Sequence, residues 1–338
     1  MSALTHDKVI NAFKKLGKLL ANSTDILENT IYSAENSNAW FTIENIKKSL
    51  NSFAEMLNED DVDHWFQSIK FSSSPKKVGL ILAGNIPMVG FHDVLCVLAT
   101  GNIALIKLSS SDDKLIKAVL SELIKLEPTL ENYIEYVERL KNFEAVIATG
   151  SNNSSRYFDY YFSKVPNIIR KNRNSVAVLD GTETKEDIQN LGADIFDYFG
   201  LGCRNVSKIY FPEGYDIANF YEGIESHQPI INHFKYNNNY DYNKSIYLVN
   251  AAKHFDNGFL LLKEDESLTS PLAVLYYEEY KNLSDVEVKL AEKVENIQCV
   301  ITKSPLHTST FTFGQSQHPK LWDYADNVNT IEFLNGLK

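Results

Sequence analysis

Cysteine is scarce in this chain. Cys96, Cys203 and Cys299 stand alone among 338 residues, too few and too widely spaced for a disulfide framework or a metal knuckle, and suited to a reducing compartment. No run approaches the roughly 18 consecutive apolar residues of a membrane span. The opening MSALTHDKVINAFKKLGKLL reads as an amphipathic helix and lacks the compact apolar run and small-residue cleavage site of a secretory leader, so a cytoplasmic protein is expected. Basic blocks are missing as well, and a net charge of −11 argues against nucleic acid as the main partner. His227, His233, His307 and His318 show no metal-ligand spacing, so no metal is expected. There is no G-x-G-x-x-G dinucleotide fingerprint and no internal repeat.

What is present is a chain with 44% hydrophobic residues, enough for proper cores, and a length that suits two packed α/β domains. Residues 1–70 carry helical periodicity, with Val9, Phe13, Leu16 and Leu20 at spacings of three and four. Ser72-Ser73-Ser74-Pro75 is a break. Val78–Ala83 then reads as a strand buried on both faces, followed by a helix over Phe91–Ala99, a strand over Ile103–Ile106, a helix over Asp112–Leu126, a strand over Glu144–Ala148 and a helix over Ser154–Phe162. From Ser175 the pattern restarts: a strand over Val176–Leu179, a helix over Glu183–Phe199 and a strand over Val206–Phe211. Residues 235–245, polar and aromatic with no clear period, read as a surface loop. Alternating strands and helices predict a doubly wound parallel sheet. The divisions are an N-terminal helical segment (1–74), a nucleotide-binding domain (75–174), a catalytic domain (175–305) and a C-terminal segment returning to the core (306–338).

Ligands on such sheets sit at the carboxyl ends of the strands, and three polar turns fall there. Asn85, in Ala83-Gly84-Asn85-Ile86-Pro87, offers an amide to an oxyanion, or is an ordinary turn Asn bonded to its own backbone. Lys107-Leu108-Ser109-Ser110-Ser111-Asp112 ends a strand and opens a helix, which makes an anion site or a serine-rich cap. Thr149-Gly150-Ser151 has the same two readings. Cys203 lies between a helix and a strand in Gly200-Leu201-Gly202-Cys203-Arg204-Asn205. The glycines allow close backbone approach, and a neighbouring cation such as Arg204 lowers a thiol pKa and supplies the thiolate. The competing reading is a buried structural cysteine, which holds for Cys96 within Val94-Leu95-Cys96-Val97-Leu98.

In their order, these motifs resemble the aldehyde dehydrogenase superfamily. Gly84-Asn85-Ile86-Pro87 stands where that superfamily has an Asn-Phe-Pro turn. Leu98-Ala99-Thr100-Gly101-Asn102 running into Lys107-Leu108-Ser109-Ser110 matches Ala-Ala-Gly-Asn into Lys-Pro-Ser-Glu. Thr149-Gly150-Ser151 matches its Thr-Gly-Ser turn, and Gly200-Leu201-Gly202-Cys203 its Gly-Gln-x-Cys nucleophile. Phe313-Gly314-Gln315-Ser316-Gln317 is similar to its late Phe-Gly-Gly turn. The LuxC-like acyl-CoA reductase branch matches best, with Asp323-Tyr324-Ala325-Asp326 adding to the likeness.

The resemblance implies an aldehyde dehydrogenase-like fold, a Rossmann-type nucleotide domain beside an α/β catalytic domain. It assigns Cys203 to attack the acyl thioester, and the Asn85 amide with the Cys203 N–H to hold the oxyanion. Lys107 would bind the adenine ribose and Ser151 the pyrophosphate, with Ser109, Ser110, Thr149 and Gly150 among the cofactor-binding residues. Two departures shape the expected reaction. Arg170-Lys171-Asn172-Arg173-Asn174 occupies the place of Glu-Leu-Gly-Gly-Lys, so the hydrolytic base is missing. Ser267-Leu268-Thr269-Ser270-Pro271 replaces Glu-Ile-Phe-Gly-Pro, and with it the carboxylate on the nicotinamide ribose. The implied activity is NADPH-dependent reduction of an acyl-CoA or acyl-carrier thioester to an aldehyde. The alternatives are a short-chain acylating aldehyde dehydrogenase running from aldehyde to acyl-CoA, and a non-catalytic scaffold of the same fold. Self-association stays open, because the superfamily's oligomerisation segments are not recognisable.

Overall fold

The computed structural model describes residues 3–150 and 152–337, with the side chains at 23–26 and 152 outside that description. The chain forms two compact units, one of residues 1–172 and 318–338, the other of residues 173–317.

The first unit opens with four helices: α1 (His6–Ala21), α2 (Ser23–Ser37), α3 (Ile43–Met56) and α4 (Glu59–Phe66). The α1 stripe of Val9, Phe13, Leu16 and Leu20 is buried, as its period of three and four requires. Thr5 caps this helix by accepting the Lys8 N–H at 3.4 Å. Next come β1 (Lys77–Ile81), α5 (Phe91–Ala99), β2 (Ile103–Lys107), α6 (Lys114–Leu126), β3 (Ile134–Tyr136), β4 (Ala145–Thr149), α7 (Asn152–Phe162) and β5 (Asn167–Arg170). The strands make a parallel sheet in the order β3-β2-β1-β4-β5. The four N-terminal helices share one apolar core with this sheet, and Leu321, Tyr324, Ile331 and Leu334 from the end of the chain join it.

The second unit contains β6 (Asn174–Val178), α8 (Lys185–Phe196), β7 (Val206–Pro212), α9 (Ile217–Ile224), α10 (Phe234–Val249), β8 (Phe255–Asp256), β9 (Leu261–Glu264), β10 (Val274–Tyr280), α11 (Leu283–Glu292) and β11 (Ile297–Ile301). Its sheet runs β11-β6-β7-β10-β9-β8, parallel except for the short edge strand β8. The last helix, α12 (Thr330–Asn335), belongs to the first unit. Among the described residues no helix is long and apolar enough to cross a membrane.

Two elements differ from the sequence reading by more than a shift of one or two residues at an end. Residues 235–245 are not a loop but the middle of α10, which buries Tyr236, Tyr240, Asn243 and Tyr247. The stripe has helical spacing, yet it is made of tyrosines and an asparagine, so a search for aliphatic periodicity passes over it. The expected helix to Phe199 stops at Phe196, and a short 3₁₀ segment, Asp197–Gly200, follows.

Candidate active site

The first unit's sheet reverses its order between β1 and β4, which places a crevice at the carboxyl ends of those strands. Ile81, the last residue of β1, pairs with Lys107 on one side and Ala148 on the other. The ends of three neighbouring strands are therefore level, and the turns carrying Asn85, Lys107–Ser110 and Thr149-Gly150 emerge along one edge. Two of these turns touch: a Cβ at Gly84 would lie 2.5 Å from Ser109 Oγ, so only glycine allows the approach. Gly150 is similarly close to α7, where a Cβ would come within 2.7 Å of Phe158. Asn85, Lys107 and Ser110 are exposed, and Ser109, Thr149 and Gly150 are partly so. Ser151 lies outside the described residues.

Asp112 explains how the Asn85 turn is held. It is buried, and Oδ2 accepts the Met88 N–H at 2.5 Å. Met88 has a positive φ of 58°, a conformation that non-glycine residues adopt only when their surroundings enforce it. Ser49, from α3, donates to the Pro87 carbonyl at 2.8 Å, fixing the same turn from the other side. Burial pushes the Asp112 carboxyl up to about 7, partly offset by the Met88 hydrogen bond. Helix α6 starts two residues later than its sequence predicts. Asp113, its N-cap residue, pairs with Lys117 at 3.4 Å.

Cys203 belongs to the second unit, in the turn between the 3₁₀ segment and β7. It is partly exposed, whereas Cys96 and Cys299 are buried. The approach to it is strained: Tyr198, Phe199 and Gly200 have φ of 53°, 60° and 77°. For each of the two aromatic residues this left-handed backbone costs roughly 1–2 kcal/mol. One buried side chain bridges the strained segment. Asn205 Oδ1 accepts the Gly202 N–H at 2.8 Å, and Nδ2 donates to the carbonyls of Asp194 at 3.1 Å and Asp197 at 2.8 Å. Ser175 donates to the Cys203 carbonyl at 2.9 Å and accepts the Cys299 N–H at 3.2 Å. Arg204 places Nη1 3.3 Å from Cys299 Sγ, with its guanidinium over the Phe311 ring.

The late Phe313–Gln317 turn is fixed by a residue that the sequence reading left inside a helix. The fully buried Asp194 accepts from the Gly314 N–H at 2.6 Å and the Ser316 N–H at 2.9 Å. Burial pushes this carboxyl up to about 6, against the lowering effect of these bonds. An acidic residue inside the otherwise apolar face of Ile188, Leu191 and Ile195 was the available signal. Asn205 carried no such mark.

The stretches that depart from the superfamily pattern are occupied structurally. Arg170 is buried and bidentate on Asp93, at 3.1 and 2.6 Å, and also donates to the Ala325 carbonyl and Thr330. Arg173 donates to the carbonyls of Val294 and Ile297. In the 267–271 stretch, Ser270 donates to the Val274 carbonyl at 2.6 Å and the Leu268 carbonyl accepts from Ser207 at 2.7 Å. The buried Asn102 accepts the Lys76 N–H at 2.9 Å. Of the histidines singled out, His227 stacks on Phe196, His233 lies 4.1 Å from Phe199 between ring centres, His307 meets Glu287, and His318 meets Glu55. Among the described residues no group of three His, Cys, Asp or Glu could hold a metal ion.

The fold is that of the aldehyde dehydrogenases. Aldehyde dehydrogenase 21 from Physcomitrella patens, solved with its reaction product succinate, superposes with a TM-score of 0.68 at 12% identity, covering 98% of this chain and 85% of that one. An NADP-dependent enzyme of E. coli gives 0.66 at 13% identity, over 90% and 74%. A Mycobacterium tuberculosis aldehyde dehydrogenase complexed with NAD+ gives 0.62 at 12%, over 88% and 72%. At such identities the fold is what is shared. No curated protein sequence matches the chain. The acyl-CoA reductase (LuxC) family model matches residues 3–222, and the chain belongs to that family. Family and fold together make it an oxidoreductase of the aldehyde and acyl-CoA class.

Proposed function

We propose that the protein reduces an acyl thioester, such as acyl-CoA, to an aldehyde with NADPH, through a covalent acyl-enzyme on Cys203. The observation that carries this reading is the Cys203 turn: a partly exposed cysteine just after a strained, glycine-containing segment, in a chain whose other two cysteines are buried.

The Cys203 thiolate attacks the carbonyl carbon and the carbonyl pair moves to oxygen. The Cys203 N–H is the proposed backbone donor to that oxyanion. Its collapse expels the coenzyme A thiolate, which takes a proton from solvent, and leaves the acyl group on Cys203. The nicotinamide, when bound, supplies the hydride that brings this acyl carbon to the aldehyde level. Cys203 then departs as thiolate, ready for another cycle. Arg170, locked on Asp93, stands in the stretch where acid-releasing dehydrogenases carry their glutamate base, which favours reduction over hydrolysis.

The first unit is the proposed dinucleotide holder, with Lys107, Ser109 and Ser110 at the adenine ribose and Thr149, Gly150 and Ser151 at the pyrophosphate. The residues present fit such a ligand. The Gly84–Ser109 approach packs two of these turns against each other, and Asp112 turns its carboxylate inward to Met88, so it adds no exposed negative charge beside the turn.

The test is NADPH oxidation across a series of acyl-CoA chain lengths, with the product identified. Wild type should consume NADPH only with acyl-CoA and yield aldehyde. Retention of more than about a tenth of that turnover by Cys203→Ala, equivalent to only ~1.4 kcal/mol of barrier, would refute the covalent route.

A further inference from the structure

We propose that Asn205 is the positioning residue of the Cys203 nucleophile. The Tyr198–Gly200 backbone is left-handed through three consecutive residues, and such a segment stays in place only where its neighbours over-determine it. Asn205 does this with one amide. It grips the chain before the strained residues through the carbonyls of Asp194 and Asp197, and after them through the Gly202 N–H. All these bonds are made by a side chain that is 3% exposed, so its removal takes a partner from three buried or partly buried peptide groups.

The anchor is itself fixed. Asp194, whose carbonyl is one of the acceptors, holds the Gly314 and Ser316 N–H groups with its carboxylate. The nucleophile turn and the Phe313–Gln317 turn thus hang on one residue, the first through its backbone carbonyl and the second through its carboxylate. Asn205 reaches the chemistry only through the backbone: relaxation of the turn displaces Sγ from its line of attack, where an error of about 1 Å lowers turnover roughly 100-fold.

The inference rests on Cys203 being the nucleophile, and the experiment separates the two claims. Iodoacetamide labelling of the full-length protein is followed across pH, with peptides containing Cys203, Cys96 and Cys299 resolved by mass spectrometry. Acyl-CoA-dependent NADPH oxidation and NADPH binding are measured in parallel. If wild-type Cys203 labels no faster than buried Cys96, the nucleophile reading itself fails. With a reactive wild type, Asn205→Ala should keep Cys96 and Cys299 protected and NADPH binding intact. It should lose turnover roughly 100-fold and displace the labelling-versus-pH profile of Cys203 alone. The isosteric Asn205→Asp keeps the acceptor for Gly202 but loses both donations, and should fall between the two. A profile and turnover in folded Asn205→Ala that superimpose on wild type overturn the proposal. If Asn205→Ala and Asn205→Asp both expose all three cysteines, Asn205 holds the unit rather than the turn, and the proposal is equally overturned.

Discussion

Asp112 and Asp194 are buried carboxyls whose partners are peptide N–H groups, and each serves a turn at the proposed site. For Asp112 the consequence is a definite pH dependence. Its carboxyl is pushed up to about 7 by burial, against an unfolded value near 4. Between those limits the folded chain retains a proton that the unfolded chain has released, so stability falls as pH rises through the window. Asp112→Asn keeps an oxygen for the Met88 N–H and has no charge to bury. It should abolish that decline and stabilise the protein by roughly 1–4 kcal/mol at pH 8. Urea unfolding at pH 5 and pH 8 measures this. Midpoints that track wild type at both pH values would show that Asp112 does not carry the titration. The inward turn of Asp112 could not be read from the sequence, where it only closes a serine-rich turn between a strand and a helix. What drew it inward is the Met88 backbone, whose positive φ no composition pattern reveals.

Elements were legible where burial wrote them as apolar runs. Strands β1, β2 and β4 are central, covered on both faces, and hence nearly continuous in Val, Ile, Leu and Ala. Helix α10 was illegible because its buried stripe is Tyr236, Tyr240, Asn243 and Tyr247. The turn after β2 was placed correctly at the sheet edge. Its exposed Ser110, standing where the resembling dehydrogenases have glutamate, carries the cofactor prediction. Ser110→Glu should raise the Michaelis constant for NADPH far more than for NADH, since a carboxylate close to the 2′-phosphate repels it by about 1–4 kcal/mol. Equal changes for the two cofactors would mean that this turn does not face the ribose. The end of β5 yields a stability prediction. Arg170 and Asp93 are buried together at 2.6 Å, so Arg170→Ala strands a carboxylate inside the first unit and should cost about 3–5 kcal/mol. Chemical denaturation checks it. A loss under about 1 kcal/mol, the range of exposed pairs, would mean that the pair is effectively solvated.

At the scale of the whole molecule, two parallel-sheet units place the candidate residues on separate scaffolds. Asn85 and the cofactor turns stand on one, and Cys203 on the other. The motifs are legible in the sequence because a turn at a strand end is the part of such a fold that chemistry constrains most. The side chains that hold those turns, Ser49, Asp194 and Asn205, come from helices and loops distant in sequence or carry no motif of their own. One expected behaviour belongs to the whole active site. On the proposed reading, aldehyde incubated with NADP and no coenzyme A should give little carboxylic acid, because the stretch that the resemblance matches to a hydrolytic glutamate holds Arg170 and Arg173, bonded to Asp93 and the Ile297 carbonyl. Rapid acid formation would require another carboxylate as base and would remove the main support for reduction. The central claim, a covalent acyl group on Cys203, is tested most directly by mass spectrometry of the protein mixed with acyl-CoA in the absence of NADPH. The peptide carrying Cys203 should gain the mass of the acyl group, and adding NADPH should discharge it as aldehyde. An acyl group found on another residue, or aldehyde formed while Cys203 never carries the adduct, would contradict the account.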